Sequence, residues 1–319
     1  MRRALALLIK LTVSGLLLYL ALNWVNLGTV ASRLSQIDPR WIALGLLAPL
    51  AQTVLLTLRW QRILRQCGAA LPLGQLLRFG MIAMFFNQTL PSSVGGDAMR
   101  IWLAAKQTDW RTAAYSVLVD RVAGVTALAI AVTACLPWTL ALIRNPVGRG
   151  ALLAIGLGCI AAGIVFVVLA WERLSLLQRW APTRHLAATA TVALGIVRSP
   201  GVFAQIYGLS FTIHFLTAVM AWCAARSVGA ALPLTYSIFL VLPVVLVAIV
   251  PVSVAGWGLR EGAMVAAFGY AGLAPSDGLI VSLLFGASYL AVGVLGGVVW
   301  IATSRRDERA IAGHTLGIE

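Results

Sequence analysis

The residues able to do chemistry in this chain are charges set inside apolar sequence, and two stretches carry most of them. Pro91 to Arg100 reads P-S-S-V-G-G-D-A-M-R, and Pro251 to Arg260 reads P-V-S-V-A-G-W-G-L-R. Ser93, Gly96 and Arg100 of the first match Ser253, Gly256 and Arg260 of the second. An arginine fork suits bidentate binding of a phosphate. Glycines permit tight turns and close backbone approach, and a proline opening a turn brings no N–H to satisfy. Helices expected to begin at Asp97 and Gly258 would aim their N-terminal N–H groups at the breaks, which favours an anion. The candidate anion site is Arg100, Arg260, Asp97, Glu261, Ser93, Ser253, Gly95, Gly96 and Gly256, joined by Asp120 and Arg121 at the start of a later apolar run. The same residues also fit a simpler arrangement, in which Arg100 neutralises Asp97, Arg260 neutralises Glu261, and the serines satisfy their own turns. Trp257 stands where the first stretch has Asp97, so the two are not chemically equivalent. His214 lies mid-span, as a candidate proton relay or a neutral, hydrogen-bonded core histidine.

No GxSxG, HExxH or Walker sequence is present, which argues against an enzyme and against ATP hydrolysis. Cys67, Cys135, Cys159 and Cys223 lack CxxC spacing, so neither a disulfide framework, a metal site nor a bound cofactor is expected.

These charges must be held by membrane helices. Of 319 residues, 61% are hydrophobic and only 11% charged. Several apolar runs reach the roughly 20 residues that cross a ~30 Å hydrocarbon core. The runs are continuous rather than alternating, which excludes a β-barrel. The fold class is an all-α polytopic membrane protein. A net charge of +14 would point to nucleic acid in a soluble protein. Here the arginines crowd short loops, as cytoplasmic loops require, and no basic soluble domain carries a nucleic-acid site.

Six full spans are expected, at residues 4–24, 41–64, 112–142, 150–171, 202–225 and 278–303. The first is read as an uncleaved helix rather than a signal peptide. Arg59, Arg62, Arg65 and Arg78 place one loop inside, and Arg173, Arg179, Arg184 and Arg198 place the loop 172–202 inside. Two spans separate those loops, so 73–110 must return to the side it entered from. It is a re-entrant or broken-helix hairpin turning at Pro91 to Gly96. The same count makes 234–272 a hairpin from the opposite face. The duplication has a second block: R-Q-C-G-A-A-L-P-L from Arg65 matches R-S-V-G-A-A-L-P-L from Arg226 at seven of nine positions. The expected organisation is one transmembrane domain: repeat one at 41–142, a connecting span at 150–171, an inverted repeat two at 202–303, and a cytoplasmic tail at 304–319. Both termini lie in the cytoplasm of a bacterium, with the chain in its inner membrane. Inverted repeats with broken helices place their site between the repeats, near the bilayer midplane.

L-P-S-S-V-G-G-D-A-M-R, V-D-R-V-A-G from Val119 to Gly124, and P-V-S-V-A-G-W-G-L-R-E-G from Pro251 to Gly262 together resemble the lysylphosphatidylglycerol synthase transmembrane-region family. This is the flippase-like membrane half of the multiple peptide resistance factor. The resemblance covers roughly residues 5–305 and departs mildly at Ser92-Ser93 and Ala255. It puts Asp97, Arg100, Asp120, Arg121, Arg260 and Glu261 on the family's charged motif positions. About fifteen residues follow the last span, so the resemblance implies the lipid-handling half without the synthase half. It implies a flippase or scramblase for a phospholipid or polyprenyl-phosphate lipid, with Asp97, Asp120 or Glu261 available for proton coupling. The alternative is a non-transporting accessory subunit for a separate synthase or glycosyltransferase. A membrane-embedded lipid transferase is a third option, for which the short loops offer no evident donor pocket. Substrate, direction and oligomeric state are not encoded legibly.

Overall fold

The computed structural model describes residues 2–90, 95–170, 181–250 and 256–315. Among them the chain is all-α, with twelve helices. These are α1 (Arg2–Asn23), α2 (Leu27–Leu34), α3 (Pro39–Gln66), α4 (Leu73–Thr89), α5 (Gly95–Ala105) and α6 (Trp110–Leu142). The second half adds α7 (Pro146–Ala170), α8 (Ala181–Arg198), α9 (Pro200–Ser227), α10 (Leu234–Ala248), α11 (Leu259–Tyr270) and α12 (Pro275–Thr315). Five helices, α3, α6, α7, α9 and α12, are long and apolar enough to cross a bilayer. Ser14–Asn23 and Gly28–Leu34, bent by 93°, would make a sixth if taken as one broken span. At 1.5 Å per residue α4 is about 26 Å long, α10 about 22 Å, and α5 and α11 less than about 20 Å, all short of a ~30 Å core.

The duplicated R-x-x-G-A-A-L-P-L block folds the same way twice. At the end of α3, Gly68 has φ +89° and the Ala69 N–H donates to Leu64 O; at the end of α9, Gly229 has φ +68° and the Ala230 N–H donates to Ala225 O. Only glycine enters this left-handed cap without Cβ strain. Pro72 and Pro233 then precede α4 and α10, and their carbonyls accept from Leu76 and Ser237. The packing partners repeat as well. α3 packs on α4, α4 on α5 and α5 on α6, as α9 packs on α10, α10 on α11 and α11 on α12. α4 also packs on α12, as α10 does on α6.

Trp60 and Leu64 of α3, Leu76 and Phe79 of α4, Ala104 of α5, and Ala113 and Val117 of α6 form one apolar cluster. The chain thus returns at the end of α5 to the level where α4 began. Val228, Leu240, Phe268 and Leu279 meet in another cluster at the corresponding places of the second half. At the centre α3 and α9 run antiparallel. The Asp38 N–H donates to Ser227 O at 2.8 Å, the Trp41 and Trp222 rings meet edge to face at 5.1 Å, and Gln52 Nε2 donates to Ile213 O at 2.9 Å.

Several boundaries differ from those expected. The second arm of the hairpin expected over 73–110 ends at Ala105, because the Gln107 and Thr108 N–H groups close on Ala104 O and Asp109 caps α6. The 172–202 loop contains helix α8, whose Ile196 is buried with Ile63, Val119 and Ile206. Clustered arginines mark a side of the membrane but do not forbid a helix. Residues 25–40, read as a loop, hold α2, capped by the Asn26 side chain at 2.9 Å from Gly28 N. α12 continues to Thr315, through most of the expected tail. Ser93, Ser253, Pro91 and Pro251 lie outside the described residues, as do Arg173 and Arg179.

Candidate functional site

The first break is tied to its hairpin by Gly96. A Cβ there would lie 2.4 Å from Ala83 O, so only glycine lets α5 start against α4. The Gly96 N–H donates to Asn87 Oδ1 at 2.9 Å, and Gly95 is likewise buried against Leu90 and Phe86. Asp97 and Arg100 follow on α5, and Asp120 and Arg121 lie ten and eleven residues into α6. Asp120 is therefore about 15 Å along that helix.

These residues form a continuous chain of ion pairs. Arg59 Nε donates to Asp120 Oδ1 at 2.8 Å, and Arg100 Nη2 to Asp120 Oδ2 at 3.0 Å. Arg100 also lies 3.5 Å from Asp97, whose other oxygen pairs with Arg121 Nε. Trp60 supports Arg100 from beneath, its ring centroid 4.2 Å from the guanidinium carbon. Arg59 also donates to Ser210 Oγ at 3.0 Å, which binds α9 to the network. The Asp120 side chain is 2% exposed and the Arg121 side chain 44%. The network thus runs from a dry interior to an open end.

The second break is neutralised more compactly. Arg260 Nη2 donates to Glu261 Oε1 at 2.7 Å, and Ser282 Oγ donates to the same oxygen at 2.9 Å. Glu261 Oε2 accepts the Gly258 N–H at 2.6 Å. The guanidinium of Arg260 sits between the Trp257 and Phe285 rings, 5.1 and 5.2 Å from their centroids. Two expectations change here. Glu261 is fully buried and faces Arg260 and the α11 N-terminus rather than the cavity. The positive end of α11, expected to attract an outside anion, already holds this carboxylate.

Residues flanking both breaks line one cleft in the bundle, whose walls are largely apolar but carry several charged side chains. It has two adjoining chambers, of about 300 and 330 Å³. Asp97, Arg100 and Asp120 line the first; Gly256, Trp257 and Arg260 line the second. Gln88, Arg121, His214, Val245 and Tyr289 belong to both walls. His214 Nε2 lies 3.0 Å from Gly124 O. The Tyr289 hydroxyl donates to Gln52 Oε1 at 2.8 Å, and Gln52 Nε2 donates to Thr217 Oγ1 at 2.9 Å, so α3, α9 and α12 are locked together beside the cavity. Among the described residues, and counting Glu261 behind Arg260, three carboxylates are paired with four guanidinium groups here, which leaves one positive charge.

Sequence reasoning missed Arg59, grouped with Arg62 and Arg65 as a loop arginine. It is 4% exposed and is a principal partner of Asp120. Its signal was a carboxylate, Asp120, placed inside an apolar run and needing a buried cation. Ser210, Ser282 and Tyr289 were missed too, and single polar residues in apolar helices carry no such signal.

A bundle of apolar helices, five of them long enough to span a bilayer, around a cleft that holds charged side chains marks a polytopic helical membrane protein. The chain belongs to the family described as lysylphosphatidylglycerol synthase TM region, whose sequence model matches residues 7–297. Comparison with curated proteins gives no match.

Proposed function

We propose that this protein moves a phosphate-bearing lipid between leaflets, as a flippase or scramblase, with the headgroup in the cavity between the two hairpins. One observation carries this: the arginines of the two duplicated stretches, Arg100 and Arg260, about 160 residues apart, line adjoining chambers of one cleft whose described charges sum to a net positive. Charge at membrane depth is costly unless it is paired or works on a substrate. The hairpins read as an inverted repeat. They follow helices α3 and α9, which run antiparallel, and each hairpin returns to the level where it began, so one enters from each face. Rocking of one repeat against the other would alternate access to the cavity. His214 on the shared wall remains the candidate proton relay. On this reading the arginine-rich loops are cytoplasmic, by the positive-inside rule, both termini lie on that side, and the membrane is a bacterial inner membrane. The lipid is a phospholipid or a polyprenyl phosphate, and no catalytic step is assigned.

A second reading has its own support. Asp97, Asp120 and Glu261 are all held in ion pairs within the chain, as they would be in a non-transporting subunit serving a separate lipid synthase or glycosyltransferase. Reconstitution separates the two. Purified protein in vesicles containing headgroup-labelled phosphatidylglycerol, phosphatidylethanolamine or a short polyprenyl phosphate should exchange at least one of them faster than protein-free vesicles. Exchange at the protein-free rate for all three contradicts transport.

A further inference from the structure

The two chambers differ in the charge on their walls. Asp97 and Asp120 line only the first, where they already hold Arg59 and Arg100. Arg100 is further fixed over Trp60. An anion entering that chamber meets two carboxylates at close range. Among the described residues, the second chamber has Arg121 and Arg260 on its wall and no carboxylate, because Glu261 sits behind Arg260. Hydroxyl and imidazole groups from Thr217, Tyr289 and His214 complete it. Its volume, about 330 Å³, admits a phosphate with a small headgroup.

We propose that the second chamber is the anion site, that Arg121 and Arg260 bracket a phosphate monoester or diester there, and that Arg100 is a positioning residue. This rests on the lipid-handling reading above and changes which arginines do the binding. The symmetric pair Arg100 and Arg260 is what the duplication alone favours. The geometry instead pairs one duplicated arginine with Arg121, the most exposed of the four guanidinium groups. Arg121 pairs with Asp97, and Arg100 stands 3.5 Å from the same carboxylate. When Arg121 turns to the phosphate, Asp97 keeps Arg100 as its cation, so no buried carboxylate is left alone. Asp97 thus competes with the ligand for Arg121, and ligand arrival is transmitted to α5, the returning arm of the first hairpin.

Calorimetric titration of the full-length chain in detergent tests this with four probes: inorganic phosphate, dihexanoyl phosphatidylglycerol, geranyl phosphate, and dihexanoyl glycerol as the phosphate-free control. At least one phosphate probe should bind and the control should not. Binding of inorganic phosphate marks a site for the bare anion, whereas binding of the lipid probes alone marks a headgroup site. For the probe that binds, Arg121→Gln should raise Kd about tenfold, the loss of one charge-assisted contact. Arg260→Lys keeps a cation beside Glu261 but loses the fork, and should also raise Kd. Asp97→Asn should lower Kd severalfold, a sign that a merely structural Asp97 would not give. Arg121→Lys, which keeps the charge, should recover part of the affinity and serves if Arg121→Gln does not fold. Wild-type affinity in the Arg121 variants, weaker binding in Asp97→Asn, or no binding of any phosphate probe overturns the assignment. Lipid translocation that persists without Arg121 overturns it and leaves transport standing. Arg121-dependent binding without translocation does the reverse.

Discussion

Glu261 shows what a single carboxylate demands at membrane depth. It is fully buried and accepts from Arg260, Ser282 and the Gly258 amide. Arg260→Ala should therefore destabilise the fold by about 3–5 kcal/mol, the cost of leaving a buried charge unpaired. Arg260→Ala/Glu261→Ala should lose much less, since both charges go together. Thermal unfolding in detergent reads both, and equal losses would show that the pair is not coupled. Residues of this kind were largely legible in the sequence, because a charge in an apolar run demands an explanation. The duplication pointed to Arg100 and Arg260, and the three acids and Arg121 followed from their positions. Arg59 was not legible: it sits one helical turn before arginines that mark the membrane edge. Only the fold shows it turned inward to Asp120.

Close backbone approach and capping govern the elements. Gly96→Ala would push a methyl group to 2.4 Å from the Ala83 carbonyl, which cannot yield, so α5 would lift from α4. Gly150, in α7, has nothing within 4 Å of its Cβ position. Gly96→Ala should lower the melting temperature by several degrees, and Gly150→Ala should leave it unchanged or slightly raised, by the gain in helix propensity. A reversed order would contradict the packing. At the start of α6, hydrogen bonds from the Thr112 hydroxyl and amide, and from the Arg111 amide, hold the Asp109 carboxyl below the ordinary carboxylate value. A lowered folded pKa stabilises above the ordinary unfolded value, and that stability is lost as pH falls through the folded one. Protection of the Thr112 amide from hydrogen exchange should hold at neutral pH and fall in acid. Asp109→Asn, which still caps, should remove the pH dependence. The repeated R-x-x-G-A-A-L-P-L block was readable as paired turns because a left-handed cap needs glycine. Helix α8 was not, since its arginines read as a surface loop and its few buried contacts, such as Ile196, come from tertiary packing.

For the whole molecule, the antiparallel pairing of α3 and α9 sets the two hairpins against each other. If the repeat is inverted, the loops after α3 and α9 lie on opposite faces of the membrane. In a background with the four native cysteines replaced, Ala70→Cys should be labelled by an impermeant maleimide from one side and Ala231→Cys only from the other. Labelling of both from one side would contradict the inversion. The helical class was in the sequence as hydropathy, and the paired short helices α4–α5 and α10–α11 as repetition. A site between the repeats was expected, but its full wall was not legible, since residues such as Val245 and Tyr289 reach it only through packing of distant helices.

The most direct measurement of the central claim is lipid exchange through a blocked cavity. Val245 lines both chambers, so Val245→Trp places an indole between the two hairpins without changing any charge. Leu157→Trp, on the outer face of α7, adds the same bulk where the side chain is 67% exposed. In vesicles with headgroup-labelled lipid and an impermeant quencher, Val245→Trp should abolish the exchange that wild type and Leu157→Trp both support, with all three proteins folded alike. Undiminished exchange in folded Val245→Trp would contradict a lipid path through this cavity.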